Sequence, residues 1–269
     1  MHNYYMAALR LRPPSAVVLP LRGCCDALRA KISLRKIKIM NKNRLKSSKV
    51  IMVLLFIGMA AAFGDVVNVS FKRGKWNESD WLMVKCGRWP NIGAWVQQDD
   101  HIENRIPADA TKEEMLGQRA PETYTSMVWK TPVTTNFTVR ATMSLDYRMA
   151  PLIVLANELG KDANGYPEYL EHWEIVLYDE GINVWHHQRN AEGKPTWHRA
   201  AQFKWKYLKN LKTDLTVAVD YTVKGPQMTI QCGDVCFSYL EHDLPKKLYV
   251  GVTGCEGLNR FYHFKLTTK

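Results

Sequence analysis

The sequence predicts an all-β protein in which two antiparallel sheets stack as a sandwich. Apolar and polar residues alternate with period two along several stretches, turn-forming residues separate those stretches at short intervals, and only one short segment has helical character. A strand with one apolar face must bury it against another layer, so alternation of this kind implies a second sheet.

Taken in chain order, residues 65–121 are the least regular part. They read as an opening strand and a long loop carrying Trp76, Trp81, Trp89 and Trp95, with the helical segment around 111–116. The first clear strand spans 139–148, where Val139, Ala141, Met143, Leu145 and Tyr147 alternate with Arg140, Thr142, Ser144, Asp146 and Arg148. Residues 151–156 form the next. In 172–178, Trp173, Ile175 and Leu177 oppose His172, Glu174, Val176 and Tyr178, and in 215–222, Leu215, Val217, Val219 and Tyr221 oppose Thr216, Ala218, Asp220 and Thr222. Further strands are expected at 182–187, 201–206, 227–231, 235–239, 248–253 and 260–267. Between them lie Asp179-Glu180-Gly181, Glu192-Gly193-Lys194-Pro195, Lys224-Gly225-Pro226 and Gly233-Asp234, all residue types that favour tight turns.

The formal charge of +11 suggests nucleic acid until it is divided along the chain. Residues 1–64 hold 12 Lys/Arg against one Asp, whereas 65–269 hold 25 charges of each sign. The basicity therefore precedes the globular part, and a neutral domain has no electrostatic footprint for DNA or RNA. Within the basic part, Asn41 to Lys46 run into an apolar block from Val50 to Ala62 that ends in small residues. That block matches the ~7–15 residues of a signal-peptide core and falls short of the ~20 that span a bilayer. Residues 40–64 are accordingly read as a signal peptide, cleaved to free a chain beginning near Asp65 with no membrane span. Residues 1–39 are read as an extension upstream of the true start, against the alternatives of a long basic leader or a membrane anchor. The expected location is secreted or periplasmic, and 65–269 is expected to be one domain.

Export permits disulfides. Cys232 and Cys236 flank a turn and are candidates to pair across it, leaving Cys86 with Cys255. Sequence cannot choose among the three possible pairings, and buried free thiols are an equal alternative. No spacing supports a zinc site. His186 and His187 are adjacent on a strand and must point to opposite faces, so with His198 they read as surface or hydrogen-bonding residues. The loop 161–166 has oxygen donors, Asp162 and Asn164 among them, for a structural calcium, but lacks the full spacing and reads first as a turn. No other cofactor is expected.

The runs YLEHWEIVLYDEGINVWHH (169–187), LYVGVTGCEG (248–257) and RFYHF (260–264) resemble the concanavalin A-like lectin/glucanase superfamily, particularly bacterial exported domains akin to 3-keto-disaccharide hydrolases and laminin G-like modules. The resemblance covers roughly residues 122–268. It implies a jelly-roll sandwich whose concave sheet holds polysaccharide or oligosaccharide, although fold alone does not confer activity.

Two enzyme signatures of that superfamily are absent. The Glu-x-Asp-x-x-Glu motif of its glucanases is replaced by Glu171 and Glu174, which lie three apart and face opposite ways. The Arg-x-Glu-x-Arg and Gln-Ile-His signatures of its lyases are also missing. The expected saccharide site is one polar face combining Arg140, Ser144, Asp146 and Arg148 with Glu174 and Tyr178. Trp185, Trp197 and Trp205 are stacking candidates as a group, with core packing the alternative for any one of them, because sugar rings present apolar C–H faces to indoles. Whether the chain is an enzyme stays open. A hydrolase or lyase would use Glu174, or His172 with Tyr178, and a third reading is a laminin G-like adhesion module.

Overall fold

The computed structural model describes residues 64–146, 149–204 and 211–269. Arg148, Trp205 and residues 1–63, which include nearly all of the segment expected to be a signal peptide, lie outside the described residues. The strands are β1 (Val66–Ser70), β2 (Trp81–Met83), β3 (Trp95–Gln97), β4 (Ile102–Asn104), β5 (Thr125–Trp129), β6 (Phe137–Leu145), β7 (Met149–Ala156), β8 (Leu159–Lys161), β9 (Pro167–Tyr169), β10 (His172–Tyr178), β11 (Gly181–Arg189), β12 (Pro195–Lys204), β13 (Thr213–Thr222), β14 (Gly225–Cys232), β15 (Val235–Leu240), β16 (Tyr249–Gly254) and β17 (Asn259–Thr268). One sheet runs β15-β14-β13-β6-β17-β4-β3, with β1 also paired to β17. The other runs β12-β11-β10-β7-β16-β5-β2, and β8 and β9 form a separate hairpin. All pairings within the sheets and the hairpin are antiparallel.

The core lies between the two large sheets. From β6 come Val139, Ala141, Met143 and Leu145, from β13 Leu215, Val217 and Val219, and facing them from the other sheet Trp173, Ile175, Leu177, Ile182 and Val184. These are the apolar sets that alternation marks in the sequence. Gly181 closes the β10–β11 turn at φ +140°, where a Cβ would meet the Phe203 carbonyl oxygen at 2.0 Å, so only glycine fits.

Residues 65–121 are better ordered than a single strand and loop. β1 to β4 extend both sheets, and Trp81 packs edge-on to Trp129 and Phe264 at the end of the core. Short strands of three residues carry too little period to be read locally; their pairing partners define them. The helical segment is one turn, Lys112–Met115, held by a capping box between Thr111 and Glu114. A second turn, Ala120–Thr123, follows.

The cysteine pairings are not found. Cys232 opposes Val235 across the β14–β15 turn, which sets Cys236 opposite Gln231 and on the other face of the sheet from Cys232. Cys86, Cys232 and Cys255 are thiols, and Cys255 Sγ donates to the Ala150 carbonyl at 3.7 Å. In the 161–166 loop, Asp162 Oδ1 accepts from the Asn164 and Tyr166 amides while Oδ2 pairs with Lys85 Nζ at 3.0 Å. Asp162 thus organises a turn and ties it to Lys85.

Candidate functional site

β10 is buried along its whole length, on both faces. Its inner face is Trp173, Ile175 and Leu177. Its outer face, His172, Glu174 and Val176, faces away from the core yet is covered as well. Register fixes the neighbours: His172 opposes His187, Glu174 opposes Trp185 and Val176 opposes Asn183 on β11. On the other side the same three face Ala156, Val154 and Leu152 of β7.

Two pieces of chain cover this face. Residues 84–86 cross it, bonded to Ser126 through the Val84 amide and to β9 through Lys85. Tyr169 then lies over the sheet with its ring stacked on His172 at 4.6 Å and its hydroxyl sharing a 2.6 Å hydrogen bond with Ser126. Beneath it is an apolar floor of Val128, Leu152, Val154, Ala156 and Val176. The polar residues that alternation assigns to solvent therefore end up inside.

Glu174 is 7% exposed, His172 3% and His187 4%. The two imidazoles stack at 4.5 Å and 10°, and their Nε2 atoms lie 3.4 Å (His172) and 3.1 Å (His187) from the Glu174 carboxylate. Tyr124 Oη donates to Glu174 Oε1 at 3.4 Å. Burial pushes the Glu174 carboxyl up, but the adjacent His187 and His172 outweigh it and hold the group well below the usual carboxylate range. Burial draws His172 down to about 4 against the pull of Glu174, so at neutral pH this imidazole is uncharged. Cys86, beside the cluster, is pushed up to about 12 by burial and then by the charge of Glu174, which makes it an inert thiol.

Next to the cluster the face opens into a pocket of about 160 Å³ whose lining includes Arg88, Glu174, Asn183, Trp185, Trp197 and Glu256. Trp197 is 48% exposed. The Arg88 guanidinium sits over its ring at 4.1 Å and over Trp89 at 4.6 Å. Glu256 holds φ at +52°, a conformation rare for a non-glycine residue, and its amide donates to Thr123 Oγ1.

The residues expected on one polar face are thus divided. His172, Glu174 and Trp185 are brought together. Arg140, Ser144 and Asp146 belong to β6 and the turn after it, in the opposite sheet, and point away from Glu174 across the thickness of the sandwich. There Arg140 pairs with Asp214, Ser144 shares a hydrogen bond with Tyr262 at 3.1 Å, and Asp146 accepts from Arg260 at 2.9 Å. Both strands have polar alternate residues, and nothing in either repeat says which sheet the strand joins. Tyr178 is on the face of Glu174 but stands six residues from His172, roughly 20 Å along a strand. It accepts from Gln202 Nε2 at 2.9 Å. The two cannot serve one bond as an acid–base pair.

His186 and His187 do take opposite faces, but neither is a surface residue. His186 is buried against Trp173 on the inner side, stacked at 4.3 Å, with Nε2 3.0 Å from Glu171 Oε1. Local reading also misses Tyr124, Cys86, Arg88 and Asn183 as neighbours of Glu174, since they come from three separate segments, whereas Trp197 joins Trp185 at the pocket as one of the stacking candidates. Among the described residues two groups bring three potential metal ligands within 4.8 Å, His172 with Glu174 and His187, and His186 with Glu241 and Asp243. No helix among the described residues is long and apolar enough to cross a membrane.

No family model and no curated protein matches the sequence. Solved structures do match. The lectin UEA-II complexed with galactose aligns over 77% of this chain and 100% of its own at 8% identity, with a TM-score of 0.50. The carbohydrate binding module CBM66 from Bacillus subtilis aligns over 69% and 94% at 12% identity and a TM-score of 0.46. The kappa-carrageenase from Pseudoalteromonas carrageenovora, solved with an oligotetrasaccharide of kappa-carrageenan, aligns over 80% and 99% at 7% identity and a TM-score of 0.46. The likeness is one of fold: the chain is a concanavalin A-like jelly-roll sandwich.

Proposed function

We propose that this jelly roll is an exported carbohydrate-binding domain whose saccharide site is the pocket on the outer face of the seven-stranded sheet. The observation that carries the reading is Trp197, a half-exposed indole that borders, with Trp185, a recess also lined by Asn183, Glu174 and Arg88. Indole rings match the C–H faces of a sugar, and the amide, carboxylate and guanidinium match its hydroxyls. The fold shared with a lectin solved with galactose supports the reading by analogy. Export rests on the charge and hydropathy pattern of residues 40–64.

Glycoside hydrolysis is the second reading, because two carboxylates, Glu174 and Glu256, line the same pocket. A glycan array probed with the full chain, followed by incubation with the hits and product analysis, tests both. Binding without product supports the lectin reading. Shortened oligosaccharides support hydrolysis, and silence on every glycan overturns both in favour of an adhesion module.

A further inference from the structure

We propose that His172, Glu174 and His187 form a binding site for one divalent ion of the zinc class. This goes beyond the saccharide reading and does not depend on it.

The sheet itself builds the ligand set. His172 and Glu174 stand two residues apart on β10 and so share a face, and His187 is the direct cross-strand partner of His172 on β11. Three donors at adjacent lattice points of a rigid sheet need no loop to position them. Their ligand atoms all lie within 4.8 Å of one another. Donors ~2.0–2.2 Å from a tetrahedral ion are separated by ~3.4 Å, and the two Nε2–carboxylate distances are 3.4 and 3.1 Å.

The second observation is that the imidazoles lack hydrogen-bond partners. His172 and His187 are buried, yet none of their four ring nitrogens makes a hydrogen bond, because the carboxylate oxygens lie off the ring N–H directions. Buried polar atoms are nearly always satisfied, so four orphans in one cluster call for a ligand. Two imidazoles and a carboxylate suit zinc and its neighbours in the first transition row and do not suit calcium or magnesium, which prefer oxygen. Tyr124 Oη, donating to Glu174 Oε1, is the outer-shell contact that would orient the carboxylate. A void about the size of one water, lined by both histidines together with Cys86, Gly87 and Arg88, adjoins the cluster and leaves room for a further ligand. The rival group is weaker: His186 Nε2 already pairs with Glu171, and Asp243 is exposed.

The full chain, stripped with a chelator and confirmed folded by circular dichroism, is titrated with zinc alone and with cobalt alone. One ion per chain is expected, with visible ligand-field bands in the cobalt form. His187→Gln and Glu174→Gln are each expected to lose more than the ~10–100-fold in affinity that removal of an outer-shell partner costs. His186→Gln is expected to bind as wild type. X-ray absorption on the zinc-loaded wild type requires no variant and is expected to count two imidazoles. A folded wild type that takes up neither ion overturns the proposal. So does a site with fewer than two histidines, or zinc lost from His186→Gln while kept by His187→Gln.

Discussion

Replacing Trp197 by alanine tests the saccharide platform most directly. A tryptophan side chain presents ~150–250 Å², and with 48% of Trp197 open to solvent roughly 100 Å² is available to a ligand. A sugar ring covering one face hides about half of that, which at ~25 cal/mol/Å² contributes ~1.2 kcal/mol. Ring-specific attraction of ~0.5–1.5 kcal/mol brings the loss to ~2 kcal/mol, or roughly 30-fold in Kd. The same substitution removes the covered half of the indole and a cation–π contact with Arg88 worth ~0.5–1 kcal/mol at an exposed site. A domain stable by ~5–15 kcal/mol remains folded after such a loss. Isothermal titration with a glycan that the wild type binds, alongside a thermal melt of each protein, separates the two effects. A folded Trp197→Ala that keeps the wild-type Kd for every bound glycan would refute the platform argument.

Four further outcomes are expected. Trp173→Ala, at a fully buried site, should cost ~3–5 kcal/mol and show as a large fall in Tm, whereas a fall as small as that of an exposed residue would mean the indole is not core. Arg140→Ala and Asp146→Ala should leave glycan affinity unchanged, because both residues lie on the opposite sheet; a tenfold loss in either would move the site. Gly251→Ala should destabilise by about 3 kcal/mol or more, since the new Cβ would stand 1.9 Å from the Met127 carbonyl oxygen, and an unaltered thermal midpoint would contradict that close approach of β16 to β5. Terminal sequencing of the secreted protein should begin near Asp65, and a chain still carrying Arg10 would count against the signal peptide.

Much of this protein is legible without coordinates. Period-two alternation assigns Val139, Ala141 and Met143, and equally Trp173, Ile175 and Leu177, to a core, because successive side chains on a strand must face opposite ways whatever surrounds them. The same rule correctly separates His186 from His187. It also puts His172 and Glu174 on one face, and the turn residues around Gly181 bring β11 back beside β10. These are short-range consequences of chain geometry.

What only the tertiary structure decided is which faces meet and what covers them. Alternation cannot tell the outer face of one sheet from that of the other, so Arg140 and Glu174 read alike although they point in opposite directions. Nor can it show that residues 84–86 and Tyr169 fold over β10 and turn a polar face into a buried one. Both outcomes depend on contacts between residues distant along the chain, selected by the burial each sheet needs. The cluster of His172, Glu174 and His187 is written in the sequence as three residues; its loss of water, and with it its chemistry, arises only when the fold closes over them.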